Sequence, residues 1–187
     1  MGHTPAMVQH GGADLANRWF DEILDLYVEV FSVPPFEWRH DESRRHSDRL
    51  SGLLLSEGFA LSVASSGPIL VGFAYGLSVP PEHQRGFLPD RVIRRIAGPL
   101  FHVTDFAVRH GFRGTGIGRS LHDSILRDRP EKWATLTVQP QAAIAISIYQ
   151  RWGWKKVAQH SPGATGPTAS LDVYARLLEA PVPSTAG

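Results

Sequence analysis

The chain has 187 residues, of which 42% are hydrophobic and 20% are charged, and its formal net charge is +1. This composition is typical of a globular protein with one domain and a sizeable core, and it excludes a disordered or fibrous chain. The near balance of 19 basic and 18 acidic residues argues against a dedicated nucleic-acid-binding protein. The lack of cysteine excludes disulfides, thiolate metal sites and a cysteine nucleophile.

The sequence also bears on location and on domain limits. No apolar run reaches the roughly 18–20 residues that a membrane span needs. Residues 1–12 do not have the basic and apolar regions of a secretory signal. We therefore expect a cytoplasmic protein with no membrane partner. We also expect a flexible N-terminus over residues 1–13, a single domain over 14–178 and a flexible tail over 179–187.

The first half of the chain predicts two helices and a hairpin. Asp14 is a favourable N-cap for a first helix that Pro34 and Pro35 end, and a second helix fits residues 41–56. A Ser-Ser-Gly-Pro turn separates strands at 59–64 and 69–77. The expected buried residues are Trp19, Ile23, Leu26, Tyr27 and Val30 in the first helix and Leu50, Leu53 and Leu54 in the second.

The second half predicts alternating strands and helices after a long insertion at residues 79–99, with a helical turn at 90–96. The elements are a strand at 100–108, a helix at 116–129, a strand at 133–138, a helix opened by Pro140, and strands at 154–158 and 170–177. The apolar face of the last helix is expected at Ile144, Ile148 and Trp152. This order is typical of a mixed α/β layer structure, with antiparallel strands first and a βαβαβ segment later.

Four glycines between residues 111 and 118 lie where the strand at 100–108 runs into the next helix. Glycine lets backbone N–H groups point inward, and a helix N-terminus favours a phosphate. The segment does not fit the dinucleotide-binding pattern, because Arg119 stands at the third glycine position. It does not fit the P-loop either, because Ile117 and Gly118 stand where Lys and Ser/Thr are needed. A tight turn without a ligand is the alternative interpretation of the glycines alone.

The pattern Arg113-x-x-Gly116-x-Gly118 resembles the pyrophosphate-binding signature of the GNAT superfamily of N-acetyltransferases, (Gln/Arg)-x-x-Gly-x-(Gly/Ala). A later segment resembles the family's Asn-x-x-Ala-x-x-Leu-Tyr helix followed by Gly-Phe. Its matching residues are Ala145, Ile148, Tyr149 and Gly153, with Trp154 in place of Phe. Ala142 stands where the family often has an Asn that helps to hold pantetheine, which leaves discrimination of the donor open. The resemblance covers about residues 18–178.

The resemblance implies a fold and an activity. The fold is an α/β (α+β mixed) GNAT-like structure, with a central mixed, mostly antiparallel twisted sheet of six to seven strands and about four flanking helices. The activity is direct transfer of an acetyl group from acetyl-CoA to a primary amine of a small molecule or a protein, without a metal. Dimerisation is common among such folds, so a homodimer is an expectation by analogy alone. The sequence leaves the acceptor and the acyl chain length open.

The resemblance also implies roles for individual residues. Backbone N–H groups would cradle the pyrophosphate, the end of the strand would bind pantetheine, and an N–H near Val108 would form the oxyanion hole. Tyr149 is carried over as the general acid, with a core tyrosine as the alternative. Asp105 is a candidate general base, with a structural aspartate as the alternative. His102, Glu82 and His83 are weaker candidates. The expected donor-binding residues are Phe106, Ala107, Val108, Arg113, Gly114, Thr115, Gly116, Ile117, Gly118 and Arg119.

The resemblance also indicates where an acceptor pocket would lie, and two other functions remain open. The first two helices and loops at 33–41, 79–98 and 160–168 would shape the pocket, with Phe36, Trp38, Tyr75 and Phe87 as candidate walls. A non-catalytic acyl-CoA-binding or sensing module of the same fold is the alternative function. Ala142 favours that alternative, and Tyr149 argues against it. A protein or nucleic-acid interaction domain that uses residues 79–99 is a third function, and the near-neutral charge disfavours nucleic acid.

Overall fold

The computed structural model describes residues 6–34, 40–160 and 170–178, without the side chains of 40–42. The chain divides into two compact units. The first unit contains the chain up to Leu77 together with Thr104–Ile125, and the second contains Ser78–Val103 and the chain from Leu126 onward. The single domain expected over 14–178 stays a prediction.

Seven strands and seven helices make up the described residues. The strands are β1 (Met7–Gly11), β2 (Ala60–Ser66), β3 (Ile69–Val79), β4 (Leu100–Val108), β5 (Trp133–Val138), β6 (Lys155–His160) and β7 (Leu171–Leu177). The helices are α1 (Ala13–Arg18), α2 (Phe20–Phe31), α3 (His40–Leu53), α4 (Pro81–Gln84), α5 (Asp90–Ile96), α6 (Ile117–Leu126) and α7 (Ala143–Arg151), with a 3₁₀ turn at His110–Phe112.

In the first unit the strands are ordered β1-β2-β3-β4, and β2 pairs antiparallel with both β1 and β3. The predicted hairpin is confirmed, since Ser66 pairs with Ile69 across a turn whose Gly67 has φ +60°. That backbone conformation favours glycine. A bulge between Ala64 and Ser65 shifts the register next to the turn.

In the second unit the strands are ordered β4-β5-β7-β6. β4 and β5 are parallel, and β7 pairs antiparallel with both β5 and β6. The last strand of the chain is therefore inserted between β5 and β6, so two parallel strands are separated by an antiparallel one. The mixed α/β fold with a seven-stranded, mostly antiparallel sheet confirms the predicted fold class.

The core of the first unit is formed by one face of α2 packed with residues of the sheet. Ile23, Leu26, Tyr27 and Val30 are buried at the predicted helical spacing. Of the three leucines expected to be buried in the second helix, Leu50 is fully buried, whereas Leu53 and Leu54 are half-buried. Full burial of such a side chain stabilises the fold by about 1.5–3 kcal/mol, so this face holds the helices in place.

The N-terminal predictions were wrong in two respects. Residues 7–11 are not part of a loose end but form β1, which is held by backbone pairing with β2. The side chains of β1 are mostly exposed and have no hydrophobic pattern, so the sequence does not indicate a strand there. Asp14 is not the N-cap, because the chain enters α1 directly from β1 and Gly12 takes that place. The acid lies in the first turn instead, where it complements the helix dipole.

Helix number and helix ends also differ from the prediction. Seven helices replace about four, because the first predicted helix is interrupted at Trp19 and the insertion adds both α4 and α5. α6 ends at Leu126 and not at residue 129, shortly before Asp128, which has φ +54°. α7 begins at Ala143 and not at Pro140. Ile144, which was expected to be on its apolar face, is 80% exposed.

The insertion is closed at its base by one buried amide. Gln84 is fully buried, and its Nε2 donates hydrogen bonds to the carbonyl oxygens of Val79 (3.2 Å) and Gly98 (2.7 Å). These carbonyls lie at the two ends of the insertion, so one side chain holds the ends together. The helix predicted at residues 90–96 is confirmed as α5.

We expect Gln84→Met to destabilise the protein, because a side chain of similar size would leave two carbonyls without their donor. A buried acceptor left unsatisfied costs about 1–3 kcal/mol, which lowers the melting temperature by roughly 2–12 °C in a chain of this size. Thermal denaturation measures the change. The control is Gln150→Met at an exposed position of α7, and equal melting temperatures for the two variants would contradict the role of Gln84.

Candidate functional site

The glycine segment between β4 and α6 has a backbone that favours glycine at two positions. Gly114 and Gly116 have φ +78° and +90°, which side-chain-bearing residues adopt only with strain. The first bond into α6 runs from the N–H of Ser120 to the carbonyl of Gly116 (3.0 Å). Among the described residues, no backbone carbonyl accepts from the N–H groups of Gly116, Ile117 or Gly118. These donors and the helix N-terminus fit an anionic ligand such as pyrophosphate.

Side chains brace this segment from within. The Nε of Arg113 donates to the carbonyl of Val108 at the end of β4 (3.0 Å), and the hydroxyl of Thr115 donates to the carbonyl of Phe112 (2.7 Å). Arg119 makes an ion pair with Asp123 one turn later on α6 (2.7 Å). Both arginines therefore already have intramolecular partners, which leaves the backbone N–H groups at the start of α6 as the candidate anion donors.

β4 presents two different faces, because its side chains alternate. Val103, Asp105 and Ala107 are buried, whereas Phe106 and Val108 are half-buried. The residues predicted to bind pantetheine thus lie on the strand that leads directly into the glycine segment. Asp105 points to the buried side of the strand.

The carboxylate of Asp105 is the hub of a buried polar network. It accepts hydrogen bonds from Nη2 of Arg49 (2.8 Å) and from the hydroxyl of Tyr75. The same Nη2 donates to the hydroxyl of Tyr27 (3.3 Å). The ring of His46 stacks on Tyr27 with centroids 3.4 Å apart, and its Nε2 lies 2.9 Å from the hydroxyl of Tyr75. Arg49 of α3 and Tyr75 of β3 therefore bind the carboxylate of β4 directly. Tyr27 of α2 joins the network through Arg49, and His46 of α3 joins it through Tyr75.

The network defines the protonation states of its members. Because the single proton of Tyr75 goes to Asp105, His46 must donate to Tyr75 through Nε2–H, and its Nδ1 carries the lone pair. That Nδ1 is buried and has no hydrogen-bond partner among the described residues. Burial, and then the charge of Arg49, lowers the pKa of His46 to about 3, so the ring is neutral at pH 7.

Two opposing effects act on the central carboxyl. Burial raises the pKa of Asp105, whereas the charge of Arg49 and the hydrogen bonds from Tyr75 and Arg49 lower it, and burial dominates. Burial also raises the pKa of Tyr75, and the charge of Asp105 raises it further. A raised pKa is favourable for a general base, but the bound guanidinium must be displaced before the carboxylate can meet an amine.

Tyr149, the predicted general acid, lies on α7 in the second unit and is half-buried. Its ring meets Trp152 and Trp154 edge-on, with centroids 6.1 and 6.2 Å apart. Its carbonyl accepts from the N–H of both tryptophans, which closes the C-terminal end of α7 after Arg151. The aromatic contacts fix the position of the phenol ring without burying it completely.

His102 is a weaker candidate that has a defined environment in the second unit. Its Nδ1 lies 3.0 Å from the hydroxyl of Thr135, and its ring packs on Phe87 of the insertion with centroids 4.9 Å apart. Burial lowers the pKa of His102 to about 4, so it is neutral at pH 7. The other weak candidates, Glu82 and His83, are exposed on α4.

The aromatic residues expected to line an acceptor pocket lie in different environments. Tyr75 is fully buried within the network, so it is not an exposed wall as expected. Phe87 is half-buried against His102. Phe36 and Trp38 lie outside the described residues, as does most of the loop at 160–168.

His46 and Arg49 were not predicted as members of the candidate site. The signal that marks them is their spacing with Leu50 and Leu53, since positions i, i+3, i+4 and i+7 share one helix face. Two polar residues on that core-facing stripe require a buried partner, which Asp105 and Tyr75 provide.

Neither a metal site nor a membrane helix is found in the described part of the chain. No group of three or more His, Asp or Glu residues there could hold a metal ion. No described helix has the length and apolar character to cross a membrane.

The family model for an acetyltransferase (GNAT) domain matches residues 56–164, which is more than half of the chain. The chain belongs to the GNAT family. The match includes β4, the glycine segment and Tyr149, so the predicted family is confirmed. A search of curated proteins finds no significant match.

Solved structures of acetyltransferases share the fold of this GNAT chain. The ribosomal-protein-S18-alanine N-acetyltransferase from Escherichia coli is 13% identical, with a TM-score of 0.65 over 97% of this chain and 100% of that chain. Arabidopsis thaliana NAA60 in complex with acetyl-CoA is 13% identical, with a TM-score of 0.64 over 92% and 98%. Arabidopsis thaliana Naa50 in complex with the bisubstrate analogue CoA-Ac-MVNAL is 15% identical, with a TM-score of 0.59 over 90% and 97%. At these identities the likeness shows the fold alone.

Two imidazoles, the buried His46 and the half-buried His102, make the stability of this GNAT chain dependent on pH. Their folded-state pKa values of about 3 and 4 lie below the usual 6.5, so the unfolded chain takes up these protons first. Stability is therefore fully present above about pH 6.5 and falls below it, by about 1.4 kcal/mol per pH unit for each ring. The raised pKa of Asp105 acts in the opposite direction at the acid end. Urea unfolding between pH 7 and 5 measures this slope.

The matched variants are His102→Gln, which keeps a polar group near Thr135, and His83→Gln at the surface. We expect the first to lose about half of the pH dependence of the unfolding free energy and the second to keep all of it. An unchanged slope in His102→Gln would show that this ring is not held neutral in the folded protein.

Proposed function

We propose that this chain binds acetyl-CoA and transfers its acetyl group directly to the primary amine of an acceptor. The observation that carries the proposal is the GNAT match over residues 56–164, which covers the anion-binding backbone and Tyr149 together. Fold neighbours crystallised with acetyl-CoA and with a CoA-peptide bisubstrate analogue support this donor and an amine acceptor. A cytoplasmic location and a homodimer stay predictions.

The donor-binding residues act mainly through the backbone. The N–H groups of residues 114–119 cradle the pyrophosphate, and those of Phe106, Ala107 and Val108 serve the pantetheine and the thioester carbonyl. The geometry that supports this is the pair of positive-φ glycines and the unpaired N–H groups at the start of α6. Backbone donors held in place before the reaction stabilise negative charge in the transition state without reorganisation.

Two side chains carry out the proposed proton transfers, one as general acid and one as general base. Tyr149 donates a proton to the leaving thiolate, since its ring is held by two tryptophans and remains half-buried. Asp105 acts as the general base for the acceptor. An amine with a pKa near 10 is mostly protonated at pH 7 and must lose a proton before it attacks. The raised pKa of Asp105 suits that task, which requires Arg49 to yield its contact.

A non-catalytic acyl-CoA-binding module of the same fold is the second candidate. Ala142 favours it, because this buried residue at the start of α7 provides no side-chain cap or amide for pantetheine. Turnover separates the two functions, since both bind the donor but only the enzyme releases free CoA in proportion to an added amine.

We expect acetyl-CoA to raise the melting temperature of the wild-type protein. At 100 times its dissociation constant a ligand adds about 2.7 kcal/mol, or roughly 5–11 °C here. Gly118→Glu should abolish this shift, because a carboxylate at the start of α6 repels the pyrophosphate. The unliganded variant should melt no lower than the wild type, since an acid there complements the helix dipole. Differential scanning fluorimetry measures both quantities.

The control is Gly52→Glu, which adds the same charge to α3 at a glycine with open space around it. Its response to acetyl-CoA should equal that of the wild type. No shift for the wild-type protein at millimolar acetyl-CoA would mean that the glycine segment is a structural turn, and the proposed function would be withdrawn.

We expect Tyr149→Phe to lower kcat by roughly 10²–10⁴-fold, the range for loss of a general acid, without changing the acetyl-CoA melting shift. Release of CoA thiol with an amine panel measures the rate. Tyr174→Phe, a buried tyrosine of β7, is the control and should keep kcat within about twofold. A Tyr149→Phe enzyme as fast as the wild type would remove the tyrosine from the mechanism.

A further inference from the structure

The side chain of Arg49 uses only one corner of its guanidinium inside the protein. Nη2 makes both recorded hydrogen bonds, to Asp105 at 2.8 Å and to Tyr27 at 3.3 Å. Nε and Nη1 have no hydrogen-bond acceptor among the described residues, and the side chain is 40% exposed while the carboxylate beneath it is 8% exposed. Both hydrogen bonds therefore use one nitrogen of the guanidinium, and the side chain is partly open to solvent.

Neutralisation of Asp105 alone does not account for this geometry. An arginine that serves a carboxylate commonly meets it with two parallel N–H groups, whereas here a single nitrogen meets Asp105 and the outer edge is unused. Nη2 makes both contacts, to Asp105 and to Tyr27, and these hold that corner of the guanidinium. A planar cation fixed in this way is preorganised to receive a second, bidentate oxyanion.

The position of Arg49 relates this cation to acyl transfer. Asp105 immediately precedes the segment 106–108, which the proposed function assigns to the acyl donor. An anion bound at Arg49 would lie beside the strand on which the acyl donor is expected.

We infer that the acceptor amine of this enzyme carries a second group, a carboxylate or a phosphate, that Arg49 binds. The inference rests on the proposed function and specifies its substrate class. The guanidinium edge would bind the oxyanion and so orient the amine at the other end of the acceptor. Arg49 is then a specificity-determining residue, which Asp105 holds in place in the free protein and which yields that contact when the acceptor is bound.

Matched pairs of acceptors test the inference. The carboxylate arm compares β-alanine with β-alaninamide and 4-aminobutyrate with 4-aminobutyramide, and the phosphate arm compares phosphoethanolamine with ethanolamine. Binding in the presence of CoA is followed by thermal shift, and turnover with acetyl-CoA by release of thiol. At least one anionic member should be bound or acetylated roughly tenfold to a hundredfold better than its neutral mate, as expected for charge-assisted hydrogen bonds. The arm that shows the preference identifies the oxyanion.

Arg49→Lys is the decisive variant, because it keeps the positive charge beside Asp105 but loses the planar edge. It should reduce the preference to under about twofold through a higher acceptor KM, with the acetyl-CoA melting shift unchanged. Arg44→Lys, an exposed arginine of the same helix, is the control and should keep the preference.

Each other outcome overturns the inference. It fails if no wild-type pair shows a preference, if no anionic member binds at about 10 mM, or if the preference survives in Arg49→Lys. The wild-type comparison decides the question even if the variant does not fold. If acetyl-CoA itself gives no melting shift, the proposed function fails first. A normal shift without discrimination within the pairs removes only the role of Arg49.

Discussion

The buried carboxylate of Asp105 is the constraint on which the first unit depends. An ionised carboxylate removed from water costs several kcal/mol unless it is paired and hydrogen-bonded. Here the partners come from α3 through Arg49 and from β3 through Tyr75. Tyr27 of α2 joins them through its bond to Arg49. The carboxylate thus specifies how two helices and a strand meet β4, which apolar packing alone would define less sharply.

The proposed donor site depends on a different kind of constraint, because it consists of backbone. The positive φ angles of Gly114 and Gly116 place the start of α6 so that its first N–H groups remain unpaired. The side chains of Arg113 and Thr115 donate hydrogen bonds to backbone carbonyls of the same segment and so stabilise it. Such a site can be read from a sequence, since glycines and a helix start have strong local signatures.

Features that depend on local sequence could be predicted, whereas those that depend on contacts between distant residues could not. β4, β5 and α5 have their predicted bounds, and the glycine segment and Tyr149 lie within the confirmed family match. Periodicity and turn residues are local, and they identify such elements. β1 was missed because an exposed edge strand has no pattern of its own and is defined by its partner β2. The position of β7 between β5 and β6 likewise depends on pairing distant in sequence.

Helical spacing places Arg49 and His46 on the core-facing side of α3, but their partner could not be predicted, for the same physical reason. Each is an ordinary polar residue of a polar helix until Asp105, more than fifty residues later, is placed beneath it. Strand alternation then separates two candidates for proton transfer. Because side chains on a strand alternate between faces, His102 and Asp105, three residues apart, point to opposite faces of β4. At most one of them can meet an acceptor directly. Because the half-exposed cation is bound to Asp105, the proposed recognition of acceptor charge and the proposed proton transfer would be linked on the face of β4 that carries Asp105.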